Sequence, residues 1–133
     1  MKLAVVVQRY GQDIAGGAEL EARYVAEHLV GHVEVEVLTT CATDYVTWRN
    51  ERPWGSELVN GVTVRRFPVG RERDPQVFSR WQQQVFERQH SIADELSWVD
   101  AEGPNSPRLL RYLSRSRDAY DFFIFFSYRY WHS

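Results

Sequence analysis

The first 30 residues change abruptly from one hydrophobic pattern to another. Residues 3–7 form a continuous apolar run, Leu-Ala-Val-Val-Val, which predicts a strand buried on both faces in a parallel sheet. From Ala18 onward the apolar positions recur every three or four residues, and this spacing predicts an amphipathic helix. Residues 8–17 between them are polar and end in two glycines. The pattern therefore predicts a strand, a glycine-bearing loop and a helix in succession.

A second strand and a hairpin are predicted next. Valines alternate with Glu34 and Glu36 in residues 33–39, which is typical of a strand that is exposed on its glutamate side and lies nearer the sheet edge than the first strand. Asn60-Gly61 then joins two apolar runs. Because Asn and Gly tolerate the positive φ of a type I′ turn, residues 57–64 are predicted to form a tight β-hairpin with its valines facing the core.

Residues 41–56, between the second strand and the hairpin, have no hydrophobic periodicity and are predicted to form a long loop. Long loops at the carboxyl ends of parallel strands are frequent ligand sites. Trp48 and Trp54 in this loop have two interpretations: they bind a ligand, or they cover apolar surface. The sequence favours neither.

The second half of the chain is predicted to form three helices and a final strand. Residues 121–126 do not alternate, which predicts a strand in the interior of the sheet. We expect the strand at 2–7 to lie between those at 33–39 and 121–127, in a Rossmann-like α/β three-layer sandwich with a mainly parallel sheet, one domain over residues 1–133. The predicted helix starts are Asp74-Pro75, Ser91 with Asp94 in a capping box, and Ser106-Pro107.

Composition narrows the function classes. A formal net charge of −2 argues against a general nucleic-acid binder, whose affinity rests on neutralising phosphates. The single cysteine, Cys41, excludes an intrachain disulfide and fits a reducing compartment. No apolar run approaches a membrane span or a signal peptide, so a cytoplasmic location is expected. The four histidines lack metal-ligand spacing, and surface positions are the favoured interpretation for them.

The loop before the first helix is the strongest candidate for chemistry. Gly16 and Gly17 stand at the predicted helix N-terminus, where free backbone N–H groups point outward and glycines let a phosphate approach. Only Gly11, Gly16 and Gly17 occur here, so the G-x-G-x-x-G dinucleotide fingerprint is absent. Glu19, in the first turn, is favoured as a residue that stabilises the helix dipole. The sequence therefore predicts an anion site at residues 16–17.

Four blocks of this sequence together resemble a known family. In their order and spacing, and over nearly the whole chain, they resemble the acceptor-side N-terminal domain of GT-B glycosyltransferases of family 4. No single block is specific to that family. The blocks are Gly-Gly-Ala-Glu at 16–19, Glu-Val-Glu-Val-Leu-Thr-Thr at 34–40, residues 60–68 and residues 120–124.

The resemblance implies a nucleotide-sugar-dependent transferase that retains anomeric configuration and needs no metal or cofactor. Donor phosphates would lie beside Gly16 and Gly17, and the acceptor, a glycan or a lipid-linked sugar, would contact Glu19. Tyr128 and Arg129 of the last loop are further acceptor-binding candidates by their location only. Many relatives carry a His-x-His pattern near the last strand. Here Ile124 and Phe126 stand at those places, so that role cannot be carried over and the catalytic residues stay unknown.

Family members bind the nucleotide through a second domain, so the chain is interpreted as a truncated N-terminal half that is inactive alone. We expect the outer edge of the last strand to be unpaired, which favours self-association through that edge or through the aromatic tail at residues 128–131. Peripheral membrane contact is a further expectation. The alternative is a free-standing Rossmann- or flavodoxin-like module that binds an anion or nucleotide without catalysis, and fold alone cannot separate the two.

Overall fold

The computed structural model describes residues 1–127 and 130–132. Within them the chain has an α/β fold that is compatible with a Rossmann-like architecture, with five strands in one mostly parallel sheet and four α-helices. The elements in chain order are β1 (Lys2–Val6), α1 (Gly17–Leu29), β2 (Glu34–Thr40), β3 (Gly55–Val59), β4 (Val62–Phe67), α2 (Pro75–Glu87), α3 (Ile92–Glu102), α4 (Pro107–Arg115), a 3-10 turn (Arg117–Ala119) and β5 (Phe122–Phe125).

The strand order across the sheet is β3-β4-β2-β1-β5. Strand β1 runs parallel to β2 on one side and to β5 on the other, which confirms the predicted placement of the first and last strands. Strand β4 is parallel to β2, and β3 alone is antiparallel. The carboxyl ends of β1, β2, β4 and β5 therefore meet at one edge of the sheet.

Two predictions about strand position were wrong. Strand β2 lies at the centre of the sheet, between β4 and β1. Its Glu36 is only 6% exposed and is paired with side chains that lie far from it in sequence. Strand β5 lies at the edge, since within the described residues it pairs with β1 only. Its Phe122 and Phe125 are exposed, as expected for an unpaired outer edge.

The hairpin of β3 and β4 was predicted correctly. Asn60 and Gly61 have φ values of 49° and 80°, which a two-residue turn of this hand requires. Val62 and Val64 are fully buried. The Asn-Gly pair thus fixes the register that turns the β4 valines toward the core.

Alternation along the strands divides the core between the two faces of the sheet. On one face, Ala22 and Ala26 of α1 pack over alternate residues of β1, β2 and β4. On the other, Leu109 of α4 packs over Ala4, Val6 and Leu38. Helices therefore cover both faces of the sheet, as the three-layer prediction requires.

Helices α2, α3 and α4 begin at the positions that their capping residues predicted. Asp74 caps α2, Ser91 forms a reciprocal capping box with Asp94, and the Ser106 hydroxyl accepts from Leu109 N. Helices α2 and α3 pack mainly against each other, and α2 has no fully buried residue. They form a helical hairpin beside the sheet.

Candidate functional site

The candidate site lies where β1 ends at the carboxyl edge of the sheet. The chain leaves β1 for α1 and β2 on one side and returns, through α4, to β5 on the other. Such a change of direction opens a crevice between neighbouring strands, and ligands of open α/β sheets bind there. The loop between β1 and α1 borders this crevice.

The first turn of α1 has free backbone N–H groups. Gly16 is the N-cap residue in extended conformation, and the first helical hydrogen bond joins Leu20 N to Gly16 O at 2.8 Å. No side chain caps this terminus. A Cβ on Gly17 would meet nothing within 4 Å, so the space in front of it is open. This geometry suits an anionic group that approaches the backbone.

A buried ion pair stands beside these N–H groups. Glu19 is 7% exposed, and its Oε1 accepts from Arg9 Nε at 2.6 Å and from Gln8 Nε2 at 2.9 Å. A Cβ on Gly16 would overlap Glu19 Oε2 and lie 2.9 Å from Arg9 Nη2. Glycine at position 16 therefore leaves room for the carboxylate and the guanidinium above the start of the helix.

Arg9 also joins the loop after β1 to the loop after β2. Its Nη1 donates to Thr43 O at 2.8 Å, and its guanidinium lies 5.2 Å from the centre of the Tyr45 ring. The Thr40 hydroxyl donates to Gln8 O at 2.7 Å. Both loops are thus held against the N-terminus of α1, with one cation and one carboxylate between them.

The structure brings together three of the five residues predicted for this site. Gly16, Gly17 and Glu19 lie within one turn of helix. Tyr128 and Arg129 lie outside the described residues. Gln8 and Arg9 were missed by sequence reasoning, although polar residues directly after a buried strand are a usual mark of a functional edge.

His132 contradicts the prediction of a surface histidine. It is 5% exposed, and the Tyr130 ring stacks on it with ring centres 5.6 Å apart. Burial lowers the pKa of His132 to about 4. The aromatic composition of the tail could have indicated this burial. The imidazole is therefore neutral at physiological pH.

The two loop tryptophans have different environments. Trp48 is buried, donates from Nε1 to Glu102 O at 2.7 Å and contacts Tyr130, so it covers apolar surface. Trp54 is 58% exposed, with the Arg108 guanidinium 4.4 Å from its ring centre. Trp54 is therefore the exposed tryptophan of the two, whereas Trp48 lines the groove between the loop after β4 and the α2–α3 hairpin.

A separate groove of about 540 Å³ lies between the loop after β4 and the α2–α3 hairpin. Trp81 contributes to one wall, and Arg71 and Asp100 form an ion pair along it. The free helix N-terminus of α1 and the Arg9–Glu19 ion pair are not part of this groove. We place the candidate site at Gly17 because the free N–H groups at the start of α1 and the Arg9–Glu19 ion pair lie together there.

Residues 1–127 and 130–132 contain no group of three or more His, Cys, Asp or Glu side chains that could hold a metal ion. None of the helices in this part of the chain is long and apolar enough to cross a membrane.

Comparison with known proteins returned no relative: no family model, no curated protein and no solved structure matches the chain.

Proposed function

We propose that this chain is the acceptor-side N-terminal domain of a nucleotide-sugar-dependent retaining glycosyltransferase of the GT-B fold. The observation that carries the proposal is the uncapped N-terminus of α1, with open space at Gly17, at the carboxyl edge of β1. The order of the four sequence blocks that resemble family 4 supports the same assignment. A second domain would bind the nucleotide.

In this proposal the chain contributes charge stabilisation. The N–H groups at the start of α1 would donate to the donor diphosphate and stabilise the charge that builds on it as the glycosidic bond breaks. Glu19 Oε2 would accept from a hydroxyl group of the acceptor. The nucleotide sugar is a substrate, and the reaction would need no metal or cofactor. The acceptor would be a glycan or a lipid-linked sugar, in the cytoplasm.

A second candidate is a free-standing module that binds an anion or a nucleotide without catalysis. The same observation favours it, because a free helix N-terminus binds phosphate without help from another domain. The two candidates differ in how the nucleoside is held. A glycosyltransferase half leaves the nucleoside to its second domain, whereas a complete module binds it within this chain.

Calorimetric titration with inorganic pyrophosphate and with UDP, GDP and ADP separates these candidates. For the glycosyltransferase half we expect each nucleotide to bind about as tightly as pyrophosphate. For the module we expect one nucleotide to bind at least roughly tenfold tighter, about 1.4 kcal/mol. Absence of binding by all four compounds would refute both candidates.

Gly17→Val with Gly31→Val as control tests the site itself. Neither Cβ would meet an atom within 4 Å, so both variants should fold. In the intact enzyme, Gly17→Val should weaken donor use by crowding the approach to the backbone, while Gly31→Val should not. Unchanged donor kinetics in Gly17→Val would reject the phosphate role.

We also propose that the outer edge of β5 mediates self-association. Phe122 and Phe125 are 59% and 45% exposed on this strand, and unpaired apolar edges pair with other chains. Sedimentation should show dimers at high concentration, and Phe122→Lys should reduce them. A wild-type monomer at the highest concentration would contradict the proposal.

Peripheral membrane contact is proposed for the α2–α3 hairpin, because Phe86, Ile92 and Leu96 are half exposed or more there. Co-sedimentation with anionic vesicles that is lost in Phe86→Ser would support it. Equal sedimentation of both proteins, or none of either, would reject it.

A further inference from the structure

The groove between the loop after β4 and the α2–α3 hairpin has the size and the position of a ligand site. Its volume of about 540 Å³ lies within the range of about 300–1,000 Å³ that is usual for small-molecule sites. The loop after β2 separates it from the candidate site: Thr43 O accepts from Arg9 and Thr47 O accepts from Arg73 N, each at 2.8 Å. The groove therefore lies near the carboxyl edge of the sheet, where open α/β folds bind ligands.

The loops that line one side of the groove are fixed by the protein itself. Arg71 and Asn105 pair in an antiparallel bridge that joins the loop after β4 to the loop after α3. Trp48 Nε1 and Arg73 Nε both donate to Glu102 O, at 2.7 and 2.8 Å. A site that is formed before the ligand arrives loses less affinity to ordering on binding.

Trp81 contributes an aromatic ring to the opposite side. It is half-buried on α2, and Val77, one turn earlier, and Leu96 of α3 also line the groove. Within the described residues Trp81 belongs to none of the core clusters. Trp48 and Trp98 each donate from the indole nitrogen at 2.7 Å, whereas Trp81 Nε1 has no acceptor in the described part of the chain. The groove is thus lined by an indole whose N–H group is unused.

The charged side chains of the groove are engaged within the protein, so the groove does not favour an ionic ligand. Two arginines and three carboxylates are among its described lining residues, which leaves no excess of positive charge for a phosphate. A charged ligand would have to compete with contacts that the protein has formed. These contacts are Arg71 with Asp100, Glu72 with Arg49, Asp74 with the first turn of α2, and Arg73 with Glu102 O.

The remaining hydrogen-bonding capacity includes both donors and acceptors. Asn105 donates to Asp100 from Nδ2, which leaves its Oδ1 to accept, and Arg71 uses only Nη2 of its donors. Leu96 and Asp100 are one turn apart on α3, so the apolar wall and these polar groups lie about 6 Å apart along the helix. A sugar ring with its hydroxyl groups covers this span, and each hydroxyl both donates and accepts.

We infer that this groove binds a neutral sugar ring, which packs its C–H face on Trp81 and forms hydrogen bonds with Asn105 and Arg71 through its hydroxyl groups. A purely apolar ligand would cover these polar groups without replacing their hydrogen bonds to water. A phosphate would meet three carboxylates. The inference does not rest on the proposed function, because a sugar site suits a transferase and a non-catalytic module equally.

NMR of the Trp81 indole N–H during sugar titration tests the inference. The probes are the methyl glycosides of glucose, mannose and galactose, and N-acetylglucosamine, each raised to about 50 mM, which saturates a site with a millimolar dissociation constant. We expect at least one sugar to shift the Trp81 signal, which is assigned by its absence from Trp81→Ala, together with the backbone amides of Ser97 and Asp100. Glycerol, which has hydroxyl groups but no ring, and caffeine, which has a flat aromatic ring but no hydroxyl group, should not shift it.

Three variants locate the sugar, with the Ser97 amide as the signal. Trp81→Ala should raise the dissociation constant at least roughly tenfold, because the aromatic contact is lost. Trp54→Ala, an exposed tryptophan outside the groove, is the matched control and should bind as wild type does. Asn105→Ala keeps the backbone bridge and should raise the constant roughly two- to tenfold, which keeps the test valid where Trp81→Ala disturbs the hairpin.

The result is independent of the phosphate site, because pyrophosphate should not displace a neutral sugar from a groove whose charges are paired. Absence of a shift with all four sugars would overturn the inference. An equal shift with glycerol or caffeine would overturn it too, and so would equal sugar affinity in wild type and Asn105→Ala.

Discussion

Glu36 and Glu19 are both buried carboxylates, but their surroundings differ. Glu36 lies in the middle of the sheet, and both of its oxygens accept hydrogen bonds. Arg65 donates to the two oxygens at 3.0 and 3.1 Å, the Tyr120 hydroxyl donates to Oε2, and Lys2 lies 3.2 Å away. Burial raises the pKa of Glu36, but these partners together outweigh it and lower the pKa to about 2.

Glu19, at the edge of the sheet, is bonded through one oxygen only. Arg9 and Gln8 both donate to Oε1, and Oε2 makes no hydrogen bond within the described residues. Glu19 also lies in the first turn of α1, where a negatively charged group is favoured. The difference indicates that Glu36 holds the fold together, whereas Glu19 has an oxygen available for a ligand.

Removing Glu36 should have the largest effect. Glu36→Leu leaves Arg65 and Lys2 without their buried acceptor, and we expect the free energy of unfolding to fall by about 3 kcal/mol, the low end for such pairs because both cations are partly exposed. Urea unfolding measures this. Glu34→Leu, at an exposed position of the same strand, should cost less than about 1 kcal/mol. Similar losses in the two variants would show that Glu36 has no special role.

Acid should remove the same stabilisation in wild type. Because the folded-state pKa of Glu36 lies below the ordinary value of 4.5, its contribution is complete above pH 4.5 and is lost as the pH falls toward about 2. The loss is up to about 3 kcal/mol. Unfolding free energies of Glu36→Leu should change less over this range. Parallel pH profiles of the two proteins would contradict the assignment.

His132 acts in a higher pH range. Its folded-state pKa of about 4 lies below the ordinary 6.5, so the unfolded chain binds the proton first and stability falls between pH 6.5 and 4. A His132→Phe variant should flatten the plot of unfolding free energy against pH only between pH 6.5 and 4. This range separates the effect of His132 from that of Glu36.

Glu19→Gln should change stability less and ligand binding more. We expect a loss of about 1–2 kcal/mol in unfolding free energy, since Gln can still accept from Arg9. Pyrophosphate affinity should rise roughly three- to tenfold, because a negative charge beside the start of α1 is removed. Glu21→Gln, an exposed residue of the same helix, is the matched control. Weaker pyrophosphate binding in Glu19→Gln than in Glu21→Gln would contradict an anion site here.

The smallest effect is expected at a capped helix. Ser106→Ala removes the side chain that accepts from Leu109 N at the start of α4, and should cost about 1 kcal/mol. Pyrophosphate binding should not change. If Ser106→Ala did change pyrophosphate binding, the anion would not be specific for the uncapped N-terminus of α1.

Local features of the fold could be predicted from the sequence. The apolar run of β1, the Asn60-Gly61 turn and the capping residues of α2 to α4 each specify their structure through neighbours in sequence. For the site, Gly16, Gly17 and Glu19 could be placed at a helix start for the same reason.

Positions that depend on distant partners could not be predicted. The alternation around Glu36 is the pattern of an exposed strand face. The Glu36 carboxylate is nevertheless buried, with partners that include Arg65 and Tyr120, 29 and 84 residues away. Likewise β5 has the composition of an interior strand, and composition does not determine what pairs with its outer edge. Arg9 follows a buried strand, which is a local mark of a functional edge, but its hydrogen bond to Thr43 joins residues 34 positions apart and could not be predicted.

The central claim, that the start of α1 binds phosphate groups, is tested most directly by backbone amide NMR during titration with pyrophosphate. We predict that the largest shifts fall on Gly17, Ala18 and Glu19, that Gly17→Val abolishes them, and that Gly31→Val preserves them. Shifts centred on the groove beside Trp81, or shifts unchanged by Gly17→Val, would contradict the claim.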